Sequence, residues 1–408
     1  MRLVAFPRGS VTVGLITLGH FFSHFYLLVL PPLFPILRSE FTLSNAQLGL
    51  LISVISLGMA LQLPVGELVD RVGAKVVYVI GLLLTSIAIG LMAFAPGYWA
   101  LLTLAALSGV GQSTFHPAGY PLIESVSSPD LKGRFFSIHT FGGYAGFAVA
   151  PLVVGGLAAL VGWQSALFAV GIAGVVGAVL IAGVLNASYK GQLEETTGST
   201  GTSLASVRAV FGRPAILVMF LFFTVVTVAN KGLQSFTPLL AVDGFALGEA
   251  TGNAALSGFF ALTAVGVLVG GVLADRHDPR TVILGALSAC ALGIWLVSVA
   301  IVPMNWWLLI GLFSIIGGFY GLIFASRDRL VSSHAAAGST GRSFGFVFTG
   351  NAIAGVVAPA AIGFAIDIST ILVGFWLIGG FFLLAAVTVL LVGRTPGIRG
   401  RLPLLSPK

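Results

Sequence analysis

Gly66-Glu67-Leu68-Val69-Asp70-Arg71-Val72-Gly73-Ala74-Lys75 and Gly271-Val272-Leu273-Ala274-Asp275-Arg276-His277-Asp278-Pro279-Arg280 are two versions of one cassette, about 205 residues apart. Each is a knot of charge between two long apolar stretches, in a chain with only 8% charged residues. The repetition says that two similar halves thread a membrane in the same order, each with a charged hinge at the same step. Composition agrees: of 408 residues, 57% are hydrophobic, and the mean hydropathy is +1.06. A soluble domain is nearer half apolar and a quarter charged, so this surface is made for lipid. The 54 glycines suit helices that approach closely in a bilayer. The lone Cys290 excludes an internal disulfide and a cysteine-based metal cluster.

Working outward from the cassettes, a bilayer core of about 30 Å calls for about 20 apolar residues per helix. Twelve such stretches are expected, at 11–34, 46–63, 76–95, 99–123, 135–160, 165–185, 215–240, 255–273, 282–302, 306–324, 344–366 and 371–392. No cleavable signal pattern precedes the first, which runs on into Pro31-Pro32. Lys and Arg fall on alternate connections: Arg71 and Lys75; Lys132 and Arg134; Lys190, Arg208 and Arg213; Arg276 and Arg280; Arg327, Arg329 and Arg342. With Arg2 and Arg8 before the first span and Arg394, Arg399, Arg401 and Lys408 after the last, this bias predicts that both termini are cytoplasmic. It also accounts for the formal charge of +7 without invoking nucleic acid. The expected division is an N-terminal six-helix bundle over 1–190, a Gly/Ser/Thr-rich cytoplasmic linker over 191–213 and a C-terminal bundle over 214–408. The sequon Asn186-Ala187-Ser188 would then lie on the cytoplasmic side and is discounted.

A second repeat supports the two halves. Gly133-Arg134 leads to Gly142, Ala150-Pro151 and Gly155; Gly341-Arg342 leads to Gly350, Ala358-Pro359 and Gly363 at the same spacing. Parallel repeats of this kind imply a substrate path at their interface, near mid-membrane.

The Gly66–Lys75 segment resembles the signature of the major facilitator superfamily between its second and third helices, and the resemblance covers essentially the whole chain. The second copy is degenerate, with Asp278 where a glycine would stand. Phe21-Phe22-Ser23-His24-Phe25, Pro31 to Pro35, Phe115-His116-Pro117, Ser137 to Gly143 and Ser326-Arg327-Asp328 are similar to a bacterial branch of fosmidomycin-resistance-type exporters. Two departures weaken drug/proton antiport. Residues 101–106 lack the fourth-helix arginine, and the fifth helix carries Ala150-Pro151 to Gly155-Gly156 instead of Gly-Pro-x-x-Gly-Gly. The resemblance implies an all-α membrane protein of two pseudo-symmetric six-helix bundles. It assigns gating to Gly66, Asp70, Arg71, Gly73 and Lys75, and to Asp275 and Arg276 in the incomplete copy. A carboxylate at such a junction can accept hydrogen bonds from a neighbouring helix N-terminus, holding the halves together until that side opens. Topology-setting loop charges are the alternative.

Four histidines lie within the expected spans. His20 and His24 share one helix face, and His20, His116 and His139 count to similar depth, roughly 8 to 14 Å from the charged side at about 1.5 Å per residue. Proton coupling, a hydrogen-bonding substrate site and a purely structural role stay open for them. A metal site is not expected, because HxxxH alone is weak and no embedded Asp, Glu or Cys joins it. Lys231, with Asn230 and Gln234 nearby, is read as the internal cation of the second half, facing protein or water. Glycine pairs Gly142/Gly146, Gly266/Gly270 and Gly317/Gly321 predict close helix packing.

The expectation is a secondary transporter of a small organic solute working by alternating access, most simply a proton-coupled exporter in a bacterial inner membrane. The alternatives are an importer or uniporter of the same fold and, less well supported, a transporter-like sensor. No P-loop and no clustered catalytic residues are legible, so neither ATP nor another cofactor is expected, and the chain is not read as an enzyme. Expected partners are the solute, protons and lipid, with no nucleic acid and a monomeric state.

Overall fold

The computed structural model describes residues 9–185, 213–299, 304–335 and 339–392. The sequon, most of the linker and both charged tails lie outside these residues. Among the described residues there are helices and no strands. The first half comprises α1 (Ser10–Leu27), α2 (Phe34–Phe41), α3 (Asn45–Met59), α4 (Gln62–Val72), α5 (Ala74–Leu91), α6 (Tyr98–Gln112), α7 (Phe115–Ser125), α8 (Lys132–Val161) and α9 (Trp163–Val184). The second comprises α10 (Pro214–Leu239), α11 (Glu249–Arg276), α12 (Pro279–Val299), α13 (Trp306–His334), α14 (Thr340–Asp367) and α15 (Ile371–Thr388).

Ten of these segments are long and apolar enough to cross a bilayer, and the pair α3–α4, bent by 43°, makes up to eleven. The remaining expected span, 99–123, is broken. α6 and α7 meet at Ser113-Thr114, where Ser113 N–H reaches back to both Gly109 and Val110. Pro117 lies after the break, in the first turn of α7, where a missing N–H costs nothing.

Glycines set the helix spacing. A Cβ on Gly266, Gly270, Gly317 or Gly321 would stand 2.0–2.6 Å from backbone carbonyl oxygens across the α11–α13 contact. Gly142 and Gly146 bring α8 onto Thr17 and the Phe21 carbonyl of α1 in the same way. The expected packing role of these pairs is therefore observed, and it lets apolar helices without a hydrophobic drive between them gain close van der Waals contact.

The halves meet through α3 with α14 and α8 with α11. A Cβ on Gly49 would be 2.1 Å from the Pro359 carbonyl oxygen, one on Gly363 2.2 Å from that of Asn45, and one on Gly155 2.2 Å from the Asn253 side chain. Phe147 stacks on Phe260 at 4.7 Å near the middle of α8 and α11. These contacts run from the face bearing Asn45 and Asp367, here the far face, to mid-helix. Towards the opposite, cassette face, α4 packs on α5 and α7 of its own half.

The two cassettes differ for a backbone reason. Gly73 closes α4 with φ 98°, a region that favours glycine, and opens α5. Asp278 has no positive φ. Its carboxylate instead accepts from the Arg280 N–H at 3.0 Å and pairs with the Arg280 guanidinium at 3.1 Å, at the start of α12. The second copy keeps the turn by capping, so a glycine there is dispensable.

Candidate functional site

The broken helix and α1 together build the polar centre of the first half. Ser23 donates to Gln112 at 2.7 Å, and Gln112 returns a bond to the Ser23 carbonyl at 2.9 Å, fixing α1 against the end of α6. That junction puts His116, in the first turn of α7, beside the two histidines of α1. The His20 and His24 ring centroids are 4.3 Å apart, His20 and His116 5.5 Å, and His24 and His116 6.5 Å. His139 of α8 stacks on His20 at 3.8 Å with the planes 10° apart. All four predicted histidines thus converge on one cluster.

Their hydrogen bonding is incomplete. His20 Nδ1 donates to the His139 carbonyl at 2.9 Å, which makes Nε2 the lone-pair nitrogen of that ring. His20 Nε2, His24 Nδ1, His116 Nδ1 and both ring nitrogens of His139 are buried with no protein partner. Buried unpaired groups cost about 1–3 kcal/mol each, so a cluster of five is a place for a ligand or proton. Room for the rings comes from Gly143, where a Cβ would lie 2.7–3.0 Å from His20 and His24.

The second half carries internal cations, one of them close to this cluster. Lys231 lies half-buried in α10, within electrostatic range of His24. Asn230 and Gln234 share its stretch of helix, with Gln234 buried and Asn230 Oδ1 unpartnered. Arg327 is a second internal cation, and here the sequence reading is corrected. That reading ends the tenth span at 324 and leaves Arg327 in a loop, whereas α13 continues to His334. The Arg327 side chain is 12% exposed, lies 4.2 Å over the Phe324 ring and 4.9 Å over Phe223, and pairs with Asp328 at 3.2 Å. A guanidinium over two aromatic faces is held by cation–π attraction, which hydropathy does not register. His24 packs on Phe147 at 4.2 Å, Phe147 on Tyr144 and Tyr144 on Phe324 beneath Arg327, so an aromatic chain joins the two polar sides.

The residues expected to gate are elsewhere and differently engaged. Asp70 and Arg71 are exposed; Arg71 pairs with Glu67 one turn away on α4. Gly66 has open space around it, Lys75 opens α5, and Asp275 and Arg276 are exposed at the end of α11. Lys132–Glu124, Arg280–Asp278 and Arg329 with the Ala274 carbonyl, described at this face, each join residues of one half.

At the far face, charge does cross between halves. Arg38, at the end of α2, forms a two-pronged pair with Asp243 in the π-helical turn Leu240–Gly244, at 2.5 and 2.7 Å. Asp367, at the end of α14, accepts from the Asn45 N–H and side chain at 2.8 Å and from the Ala46 N–H at 2.9 Å. This carboxylate sits on the N-terminus of α3, where the helix dipole favours it. Neither pair was singled out from sequence. The one available signal was their rarity, as Arg38 is a basic residue on a set of connections otherwise poor in Lys and Arg.

Two facing helix bundles with polar groups buried at their interface define a membrane transporter. The comparisons agree. The family model described as Major Facilitator Superfamily matches residues 16–254 and 232–405, and the chain belongs to that superfamily. The MFS-type transporter YfnC of Bacillus subtilis (strain 168) is 26% identical over 71% of this chain and 72% of its own length. The fosmidomycin resistance protein of Escherichia coli (strain K12) is 25% identical over 85% of this chain and 86% of its own. Among solved structures, a bacterial homologue of the lysosomal transporter Spinster, inward-facing and occupied, matches with a TM-score of 0.77 and 16% identity over 96% of this chain and 98% of that one. The nucleoside transporter NupG matches at 0.76 and 14% identity, over 94% and 99%. The chain is therefore a multi-pass transporter of a solute, and its relatives are transporters rather than enzymes.

Proposed function

We propose that this chain exports a small, partly apolar organic anion from the cytoplasm by alternating access, with protons as the coupling ion. The observation that carries the reading is the opposition of two polar sides across the bundle interface: unpartnered histidines on one half, Lys231 and Arg327 on the other. Lys231 and Arg327 supply charge for an anion, Phe147, Phe260 and Phe324 supply apolar surface, and the imidazoles take and release protons near neutrality. The orientation follows the Lys/Arg bias, with the cassettes cytoplasmic. The conformation described is then latched outside, by Arg38–Asp243 and Asp367 on α3, while Arg71 inside pairs within its own helix. Export follows the relative named for fosmidomycin resistance, and import is the competing outcome.

Reconstituted protein with fosmidomycin as first probe tests this. An imposed pH gradient should drive accumulation against the drug gradient, and a protonophore should abolish it. His20→Ala and His116→Ala should each slow transport about tenfold or more, the loss of one strong polar contact of about 1.5–3 kcal/mol, with folding intact. Wild-type rates in both variants across about pH 5.5 to 8 would sink histidine coupling. Accumulation in the opposite direction would make the protein an importer.

A further inference from the structure

We propose that His20, His24 and His116 form a binding site for a single divalent transition-metal ion of the Zn2+/Co2+ class, with a fourth coordination position left open. HxxxH offers two ligands on one helix face, and sequence alone shows no third. The packing of α7 against α1 supplies it, placing the His116 ring 5.5 Å from that of His20 and 6.5 Å from that of His24. One nitrogen from each of the three rings lies within 4.8 Å of the other two.

The ring arrangement suits a shared ion. With metal–nitrogen bonds of about 2.0–2.1 Å, imidazoles at tetrahedral angles have centroids roughly 5 Å apart. The observed separations of 4.3, 5.5 and 6.5 Å bracket that value, so small rotations about the side chains reach it. The planes are inclined by 66°, 67° and 88°, which lets the nitrogens converge without the rings clashing. His139, stacked flat on His20, lies outside the set of three and serves it differently. Its carbonyl accepts the His20 Nδ1 proton, holding the tautomer that leaves Nε2 as an electron-pair donor. A ligating histidine oriented through its other nitrogen is the usual second layer of a metal site.

Imidazole selects ions of borderline softness over Mg2+ or Ca2+, which require oxygen. His20 is buried while His24 and His116 are partly exposed, so the set has a closed side and an entry side. Three neutral ligands leave the ion its full charge, and Lys231 adds another within range of His24. The open position therefore favours an anionic fourth ligand. The assignment concerns the same chamber as the proposed cargo path but depends on neither its direction nor its coupling.

Tag-free full-length protein in detergent, titrated with Co2+ alone, is the test. The expected result is one saturable site with the visible absorption of tetrahedral Co2+, displaced by Zn2+. His24→Gln and His116→Gln should each weaken binding roughly tenfold or more, while His334→Gln, at the end of α13, should not change it. Zn2+ should also raise the unfolding temperature of the wild-type protein, a readout that needs no variant. No saturable wild-type binding, or equal binding in His116→Gln, would overturn the assignment. Should metal binding fail while His20→Ala still slows fosmidomycin transport, the organic-anion reading stands without the metal.

Discussion

At the far face, Asp367 takes three hydrogen bonds from the first turn of α3, and Arg38 grips Asp243 across the halves. At the cassette face, by contrast, Arg71 holds Glu67 on its own helix, with side chains 73% and 65% exposed. The device expected at Asp70, a carboxylate on a neighbouring helix N-terminus, is thus found at the opposite end of the molecule. The contrast teaches that charge next to a helix end is a latch only where glycines let the halves close. Gly49 and Gly363 do this at the far face, placing backbone against backbone so that dipoles and carboxylates come within bonding distance, and Gly155 makes room for the Asn253 side chain. In the proposed cycle, opening the far face must break these bonds, and the cassettes gain partners as their own face closes.

The comparison can be broken most forcefully at Gly363. A leucine there would drive atoms into the Asn45 carbonyl, which cannot yield without moving α3, at a cost of about 1–3 kcal/mol. The far-face-closed population should fall by roughly 5- to 150-fold relative to the open one. Cysteine labelling at far-face positions in native membranes would show this, and unchanged labelling would mean that the close approach is not what holds the halves. Smaller effects should follow from the charges in order. Asp367→Asn removes charge-assisted bonds and should cost about 1–2 kcal/mol of closure. Arg38→Ala, whose pair is 30% and 26% exposed, should cost about 1 kcal/mol or less. Arg71→Ala should leave this state unchanged within about 0.5 kcal/mol, because its pair is solvated and confined to one helix. An Arg71 effect as large as that of Asp367 would reverse the assignment of the two faces.

Much of the fold was legible because lipid demands long apolar helices, and charge clusters mark their ends. The breaks were not. Hydropathy averaged over a span does not show that the helix breaks at Ser113-Thr114, because apolar residues resume on either side of this short polar stretch. Of the polar centre, helical counting brought His20, His116 and His139 to one depth, and the α1 periodicity brought His24 to the same face. Arg327 was misplaced because its burial depends on Phe223 and Phe324, one of them from another helix. The far-face latch was invisible for a related reason. Arg38 and Asp243 are 205 residues apart and Asn45 and Asp367 322 apart, and only the packed bundles bring them together.

The central claim is that the two faces open in opposition, and distance measurement between spin labels in reconstituted protein tests it most directly. One pair, at Ser39 and Ala250, spans the halves at the far face; the other, at Val72 and His277, spans them at the cassette face. Both pairs stand on exposed positions. The account predicts a short far-face distance with a long cassette-face distance in the resting protein. An imposed proton gradient with fosmidomycin should lengthen the first as it shortens the second. Distances that lengthen together, or a far-face pair that never moves while transport proceeds, would contradict it.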